Sequence, residues 1–489
     1  MSTLVYTLLV ICTLIALKVF DDWRQLRKAP GPLLASITDF WRAWHQYHGQ
    51  LRGKLVDLHE KHGPIVRYGV RSISLSDPGA IDIIYGSRQG FTTAESYKVL
   101  IGISNGKEVP SLVSTSDEAR HGALRRAVAG AFSPNGVLEY EPFVNETIME
   151  LLDVLRAKKG TFDLAATILY YTMDAAGRFS FDEPLGCLQA GGDVGGSIQM
   201  IRNRFNHWGW WASLPWLERL VYRNPLAMRQ KRAPSSMAAL AMGKLSARMG
   251  SMEEKDAGRP ADLLSKFIVA SRTHPDVLDT PGIVGMLMST ISGAGDTTAS
   301  SVIAVLYYLM KDPAVLAKLR EELAAADLSE PVPMFSQVNK LPYLHAVIRE
   351  AARLAPTSTW PIERRVPAGG TTIGGMFIPE GTSVGTLAMA THLDRTVFGD
   401  DVHDFRPERW LTTKAEELRR MEGAFMGFSR GRRVCLGQHI AILQMKKVLS
   451  VLVTIFDISP VNTKAKLEFD MSPAVVAVKP FHVTIERKT

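Results

Sequence analysis

Residues 428–437 read FSRGRRVCLG. Phe428, Gly431, Arg433, Cys435 and Gly437 fit the pattern F-x-x-G-x-R-x-C-x-G, and five fixed positions in ten form a specific signal. Glycine at 431 and 437 permits backbone turns and close approach to a flat ligand. Residues 437–455, carrying Leu443 and Val448, read as a helix, so Cys435 stands just before a helix N-terminus. The dipole and free N–H groups there favour a thiolate. No second cysteine lies nearby, which argues against zinc. A lone thiolate suffices as the axial ligand of haem iron. Arg433 is placed to meet a haem propionate. A buried structural cysteine is the plain alternative, and the loop around Cys435 argues against it.

The 489-residue chain is 46% hydrophobic and 22% charged, an ordinary globular composition. That excludes a largely disordered, collagen-like or multi-span membrane chain. A net charge of +8 is mild for this length. It suits an anionic membrane surface or an acidic partner, and the basic residues form no single stripe that would suggest nucleic acid. The three cysteines, Cys12, Cys187 and Cys435, allow no disulfide framework and no Cys-based zinc finger, so the globular part belongs in a reducing compartment.

Met1 to Leu17 carries no charge, and apolar character resumes at Val19 and Phe20 after Lys18. A helix over residues 1–20 would span about 30 Å, enough to cross a membrane with Lys18 snorkelling at one end. No positive charge precedes the run and no small-residue cleavage site follows it, so it does not read as a cleaved signal. Arg24, Arg27 and Lys28 lie downstream, which places later residues in the cytosol. Residues 21–32, ending in Pro30-Gly31-Pro32, read as a basic, Pro-rich linker, and residues 33–489 as one domain.

That domain is expected to be mainly α with a small β-sheet. Strand-like runs lie at 65–68 and 73–76, and a second pair at 371–373 and 376–378 flanks Gly374-Gly375. The strongest helix runs from Gly282 to Met310, with Thr280 as N-cap and Pro281 at the first helical position. It would be about 45 Å long and, apolar on nearly every side, should cross the core. Inside it, Gly293-Ala294-Gly295-Asp296-Thr297-Thr298 breaks the apolar pattern, and such breaks often mark function.

The cysteine loop resembles the haem-binding signature of the cytochrome P-450 family, the haem-thiolate monooxygenases. Further matches cover most of the chain from about residue 30. IVRYG (65–69), SLSDPGAIDIIYGS (74–87) and AFSP (131–134) are similar to a filamentous-fungal group that includes pisatin demethylase and benzoate hydroxylase.

The resemblance implies a haem b (iron protoporphyrin IX) ligated by Cys435, with Phe428, Arg433 and Gly437 around it. It implies an oxygen groove at 293–298, where Thr297 would hold dioxygen and a water while Asp296 relays protons. A Thr hydroxyl bonded back to a carbonyl four residues earlier is the plain alternative. Ala294 stands where the family usually has glycine. Glu350 and Arg353, at i, i+3 on LHAVIREAARL, would otherwise be a surface ion pair; the resemblance makes them a buried structural triad with Arg409. His121 and Arg125, on one helix face, would meet propionates, although many members carry Trp where His121 stands. Arg364 is a further propionate candidate, with Arg365 its rival.

By the same resemblance, substrate contacts fall in the loop Thr92 to Leu112, where Tyr97, Leu100, Ile101 and Ile103 would form an apolar pocket, and at Ile291, Ala294 and Trp360. The Trp-rich run 207–217 reads either as a core cluster or as a membrane-interface surface. Lys446 and Lys447, with Arg430 and Arg432, are either solvated charge or a basic rim for an acidic electron donor. The chain has no nucleotide-binding glycine loop or flavin domain, so electrons must come from outside. The implied partners are NADPH-cytochrome P-450 reductase, with cytochrome b5 as a further donor, a small-molecule substrate and membrane lipid, but no nucleic acid. The implied location is the endoplasmic reticulum membrane, single-pass, with a cytosolic domain.

The resulting expectation is a monooxygenase that inserts one atom of O2 into a small, fairly apolar molecule, in secondary-metabolite biosynthesis, with electrons from NADPH. Two rivals are a haem-thiolate isomerase or dehydratase needing no O2, which would tend to lose the Asp-Thr pair, and a non-catalytic haem carrier or sensor.

Overall fold

The computed structural model describes residues 2–87, 89–104, 106–230, 234–250 and 261–488; Met1, the first residue of the expected anchor, lies outside them. Seven helices build or support the site: α1 (Ser2–Gln25), α2 (Glu118–Phe132), α3 (Leu164–Phe181), α4 (Ser197–Trp211), α5 (Thr280–Lys311), α6 (Pro342–Leu354) and α7 (Gln438–Ile455). The largest sheet has strands β1 (Ile65–Gly69), β2 (Ser72–Leu75), β3 (Thr92–Thr93), β4 (Arg364–Arg365) and β5 (Ser383–Thr386), in the order β1-β2-β5-β4-β3. The protein is therefore mainly α with small sheets.

α5 is apolar around most of its circumference, and sixteen of its residues from Ile283 to Leu309 are buried. It packs along α3 more extensively than along any other element and also against α6 and α7. Its start differs from expectation. The cap is Asp279, whose carboxylate accepts from Gly282 N–H at 2.8 Å, and the helix extends to Lys311. Asp outcompetes Thr280 because its oxygen reaches the third N–H of the first turn.

The 65–75 strands pair antiparallel, Ile65 opposite Leu75, and the 371–378 pair forms its own hairpin, Thr371 opposite Ile378. β4 lies between β5 and β3, with Arg364 facing Val384 and Thr93. Successive strand residues point to opposite faces. Arg364 is accordingly buried and Arg365 exposed.

Among the described residues, two helices are long and apolar enough to cross a membrane, the span Leu4–Gln25 and α7. α7 is mostly buried inside the domain, whereas the apolar side chains of α1 are exposed. α1 continues five residues past the expected end at Phe20. Lys18 pairs with Asp22 at 3.2 Å, and Arg24 and Gln25 both reach Asp21, at 3.1 and 2.6 Å. These i, i+3 and i, i+4 contacts carry the helix beyond the apolar run.

The expected linker is also no free spacer. Leu26 and Ala29 are buried in the core that covers the sheet. Asp22 pairs with Arg71 at 2.7 Å. The buried Arg67 guanidinium donates to five carbonyls: Asp22, Trp23, Ser36, Gly69 and Val70. Gly31 passes so close that a Cβ there would lie 2.0 Å from the Arg67 carbonyl oxygen. Arg67→Ala should strand these carbonyls and lower the unfolding free energy by about 3 kcal/mol, measured by denaturant titration.

Candidate functional site

The cysteine loop is built from backbone constraints. Gly431 adopts φ 72° and lies against helix 79–85, where a Cβ would fall 1.7 Å from the Tyr85 carbonyl oxygen. Only glycine fits there. Cys435 N–H donates to Phe428 O at 2.9 Å and Val434 N–H to Gly431 O at 3.1 Å, closing the loop on itself. The Cys435 residue is exposed by area although protein surrounds its sulfur closely. Both descriptions hold for a sulfur that opens onto an interior space. Burial pushes its thiol up, while Gly437 N–H, Arg125 and Gln438 N–H pull the other way. Those two amides and one cation favour an anionic sulfur at the start of α7.

Cations collect beside this sulfur. Arg125 on α2 donates to Val434 O at 2.8 Å. Arg433 donates to Thr115 O at 2.8 Å and pairs with Glu118 at 2.8 Å. Arg364 lies 5.2 Å from the Tyr85 ring centre and 5.9 Å from that of Tyr97, whereas Arg365 turns outward toward Glu95. His121 is buried, and its pKa is pushed down to about 4 by desolvation and by Arg433, so it is a neutral hydrogen-bonding ring at neutral pH. A narrow cleft of about 10 Å³, room for a single water molecule, is lined by Tyr85, Phe91, Glu118 and the arginines 364, 430, 432 and 433. The four arginines outnumber the carboxylates beside them, Glu118 on Arg433 and Asp82 at 3.9 Å from Arg430, so the surroundings attract anions.

On α5, the two glycines differ in purpose. Gly293 is exposed, and a Cβ there would meet nothing within 4 Å. A Cβ at Gly295 would lie 2.7 Å from the Met173 sulfur, so Gly295 serves the close packing of α3 on α5. Thr297 Oγ1 donates to Gly293 O. Its oxygen keeps lone pairs that can accept a bond. Asp296 is buried and turned toward α4, 3.5 Å from Arg202. Desolvation raises its pKa, and Arg202 partly offsets that.

Behind the cysteine loop, Glu350 on α6 accepts from Arg353 at 2.8 and 2.9 Å, from Arg409 at 2.8 Å, from Trp410 Nε1 at 2.9 Å and from Arg406 N–H at 3.1 Å. Arg353 also donates to the carbonyls of His392, Val402 and Asp404. His392 stacks on Phe425 and accepts from Met426 N–H at 2.8 Å, and Ser429 N–H returns to Met426 O at 3.0 Å. A continuous run of bonds therefore joins Glu350 to the residues that position Cys435.

The family model described as Cytochrome P450 matches residues 30–485. The chain belongs to the cytochrome P450 family. It is similar to "Cytochrome P450 monooxygenase mpaDE'" of Penicillium brevicompactum, 33% identical over 94% of this chain and 55% of that protein. It is also similar to a "Cytochrome P450 monooxygenase" of Aspergillus terreus, 32% identical over 91% of this chain and 93% of that one. A third relative is "Cytochrome P450 monooxygenase pkfB" of Emericella nidulans, 34% identical over 90% of this chain and 88% of that one. The chain thus spans about half the length of the first relative and most of the other two.

Several expected positions in this P450 sit elsewhere than the sequence suggests. Ile291 is fully buried in the main core, not on the open face of α5, while Ala294 is half-buried beside that face. Tyr97, Leu100 and Trp360 do come together, in a cluster with Trp208, and Ile101 is half-buried next to them. The Trp-rich run divides: Trp208 packs between Tyr97 and Trp360, while Trp210 and Trp216 are 36% and 56% exposed. Lys446 and Lys447 form no rim. Both are buried, Lys446 bonded to Asn339 and Lys447 to Glu141 and Pro333 O. The pairings of Arg202 with Asp296, of Glu118 with Arg433 and of Trp410 with Glu350 are not legible in the sequence, because the partners are distant along the chain.

Asp296 has a folded-state pKa above its unfolded value. The stability it contributes is therefore present below the unfolded value and lost as pH rises through the folded one. Arg202→Ala should raise that folded pKa further and extend the window to higher pH. The protonated-carboxyl infrared band, identified by its loss in Asp296→Asn, would measure this; a band that titrates as in the unaltered protein would show no coupling.

Proposed function

We propose that this P450 is a membrane-anchored haem-thiolate monooxygenase that inserts one oxygen atom into a small organic molecule. The observation that carries the proposal is the Cys435 sulfur, which opens to the interior at the start of α7 with amides and Arg125 directed to its negative form. The donor set fits haem b. One thiolate is available for the iron, Arg125, Arg364, Arg433 and the neutral His121 suit two propionates, and Phe428 and Gly437 flank the sulfur. When bound, the haem supplies O2 activation with electrons that derive from NADPH.

The protein's own part is proton management and exclusion of bulk water. A buried carboxyl whose pKa is raised retains a proton at a pH where a surface aspartate has lost it, as a general acid requires. Asp296 would hold that proton at its carboxylate oxygen and exchange with solvent along Arg202. Thr297, next in the chain on the open face of α5, would order the water that carries the proton inward. Glu350, Arg353 and Arg409 would brace the cysteine loop and take no part in the chemistry.

Residues 1–20 would cross the endoplasmic reticulum membrane and 33–489 would form the cytosolic monooxygenase domain. The exposed Trp44, Trp210, Trp216, Leu220 and Leu226 would rest on that membrane. Electrons would arrive from NADPH–cytochrome P450 reductase, with cytochrome b5 as a further donor, at a surface that includes Arg430 and Arg432. The fungal relatives favour a place in secondary metabolism. An Asp296–Thr297 pair and a dependence on NADPH separate this reading from an O2-independent isomerase.

Cys435→Ser should abolish the long-wavelength Soret band of the reduced carbon monoxide complex while far-ultraviolet circular dichroism stays unchanged; survival of the band would overturn the assignment. Thr297→Ala should shift NADPH-derived electrons severalfold toward peroxide, read as the ratio of H2O2 formed to NADPH consumed. An unchanged ratio would remove Thr297 from the proton path.

A further inference from the structure

Two arginines hold the 95–101 segment, and they are not alike. Arg223 donates to the carbonyls of Val99 and Ile101 at 3.1 and 3.0 Å, and it keeps two carboxylates, Glu218 at 2.8 Å and Glu108 at 3.2 Å. Arg204, on α4, donates to the intervening carbonyl, Leu100 O, at 3.0 Å. No carboxylate among the described residues pairs with it. One carbonyl satisfies one of the five N–H groups of a guanidinium. Arg204 is half-buried by area yet closely hemmed in by protein, and desolvation lowers its pKa with no neighbouring charge to offset it. A cation in such a place disfavours folding unless something supplies a counter-charge.

The position of Arg204 indicates what that counter-charge would belong to. Arg204 and Trp208 are four residues apart and share one face of α4. Trp208 donates to Ser96 O at 3.1 Å, and its ring lies 5.3 Å from Tyr97 and 5.4 Å from Trp360. Tyr97 in turn lies against Arg364, at the cation-rich cleft. The face that carries the unpaired guanidinium therefore also carries Trp208, which packs on Tyr97 and Trp360, and Tyr97 leads to Arg364 of the cation-rich cleft.

We infer that Arg204 is a specificity-determining residue that receives a carboxylate of the substrate, so that this P450 acts on carboxylic acids with an apolar body. Leu100, Trp208 and Tyr97 would cover that body. The inference deepens the monooxygenase reading and depends on it for the word substrate, but the charge preference can be measured separately.

The test uses the full-length, detergent-solubilised holoprotein and a panel of benzoate, phenylbutyrate and dodecanoate, each beside its methyl ester. Binding is followed by the Soret shift and, independently, by the ligand-induced rise in unfolding temperature. At least one acid should bind about tenfold or more tightly than its ester. Arg204→Gln, which retains a donor for Leu100 O, should bring that ratio close to one, and Arg204→Lys should restore part of it. Without ligand, Arg204→Gln should unfold no lower than the unaltered protein, because it removes an uncompensated charge. Esters that bind as well as acids, or a preference that survives Arg204→Gln, would overturn the inference. Absence of the long-wavelength Soret band of the reduced carbon monoxide complex would instead defeat the monooxygenase reading, and the thermal-shift ratios would still decide the role of Arg204.

Discussion

The carboxylate of Glu350 is the constraint on which the rest of the site depends. Removing an ion from water costs several kcal/mol after relaxation, and a buried pair compensates only if nearly every lone pair and proton finds a partner. Here the two oxygens take five donors, and Arg353 uses its remaining N–H groups on three carbonyls. Those carbonyls belong to the stretch 392–404, which leads into the cysteine loop. The network thus converts electrostatic necessity into position. If the chain between α6 and α7 shifted, a buried charge would lose partners, so the loop that carries Cys435 is held to one arrangement.

What could be read in the sequence was what local pattern encodes. The cysteine loop, the start of α7, the hairpin at 371–378 and the polar break in α5 are all short-range signals of turn chemistry and periodicity. The pairing of Glu350 with Arg353 is also local, although its burial is not. The misreadings have one physical origin. α7 carries two lysines, and lysine usually marks a solvated face, but Lys447 finds Glu141 some three hundred residues earlier in the chain. Likewise Asp296 finds Arg202 on α4. No window of sequence contains both members of such a pair. Gly295 is a subtler case: its value as room for Met173 is indistinguishable, in sequence, from room for a ligand.

The site is also a place where buried charge is left deliberately incomplete. Asp296 has a partner at the outer limit of an ion pair and keeps a raised pKa. Arg204 has a single carbonyl, while its neighbour Arg223 has two carboxylates. The contrast with the fully satisfied Glu350 network is informative. The Glu350 carboxylate is saturated, whereas Asp296 on α5 and Arg204 beside the 95–101 segment are not. Unsatisfied polar groups that a fold tolerates tend to lie where function needs a proton or a ligand to complete them.

The junction at Arg67 has a mechanical meaning. Two of its five bonds, to the carbonyls of Asp22 and Trp23, join the last turns of α1 to the sheet, and the Asp22–Arg71 pair adds a third connection beside them. A transmembrane helix adjusts its tilt to the thickness of the bilayer around it. In a tethered protein such tilting would be absorbed by slack. With α1 in a bilayer, such tilting would instead rock the whole domain as a lever, so that lipid thickness would set the angle at which the domain stands on the surface.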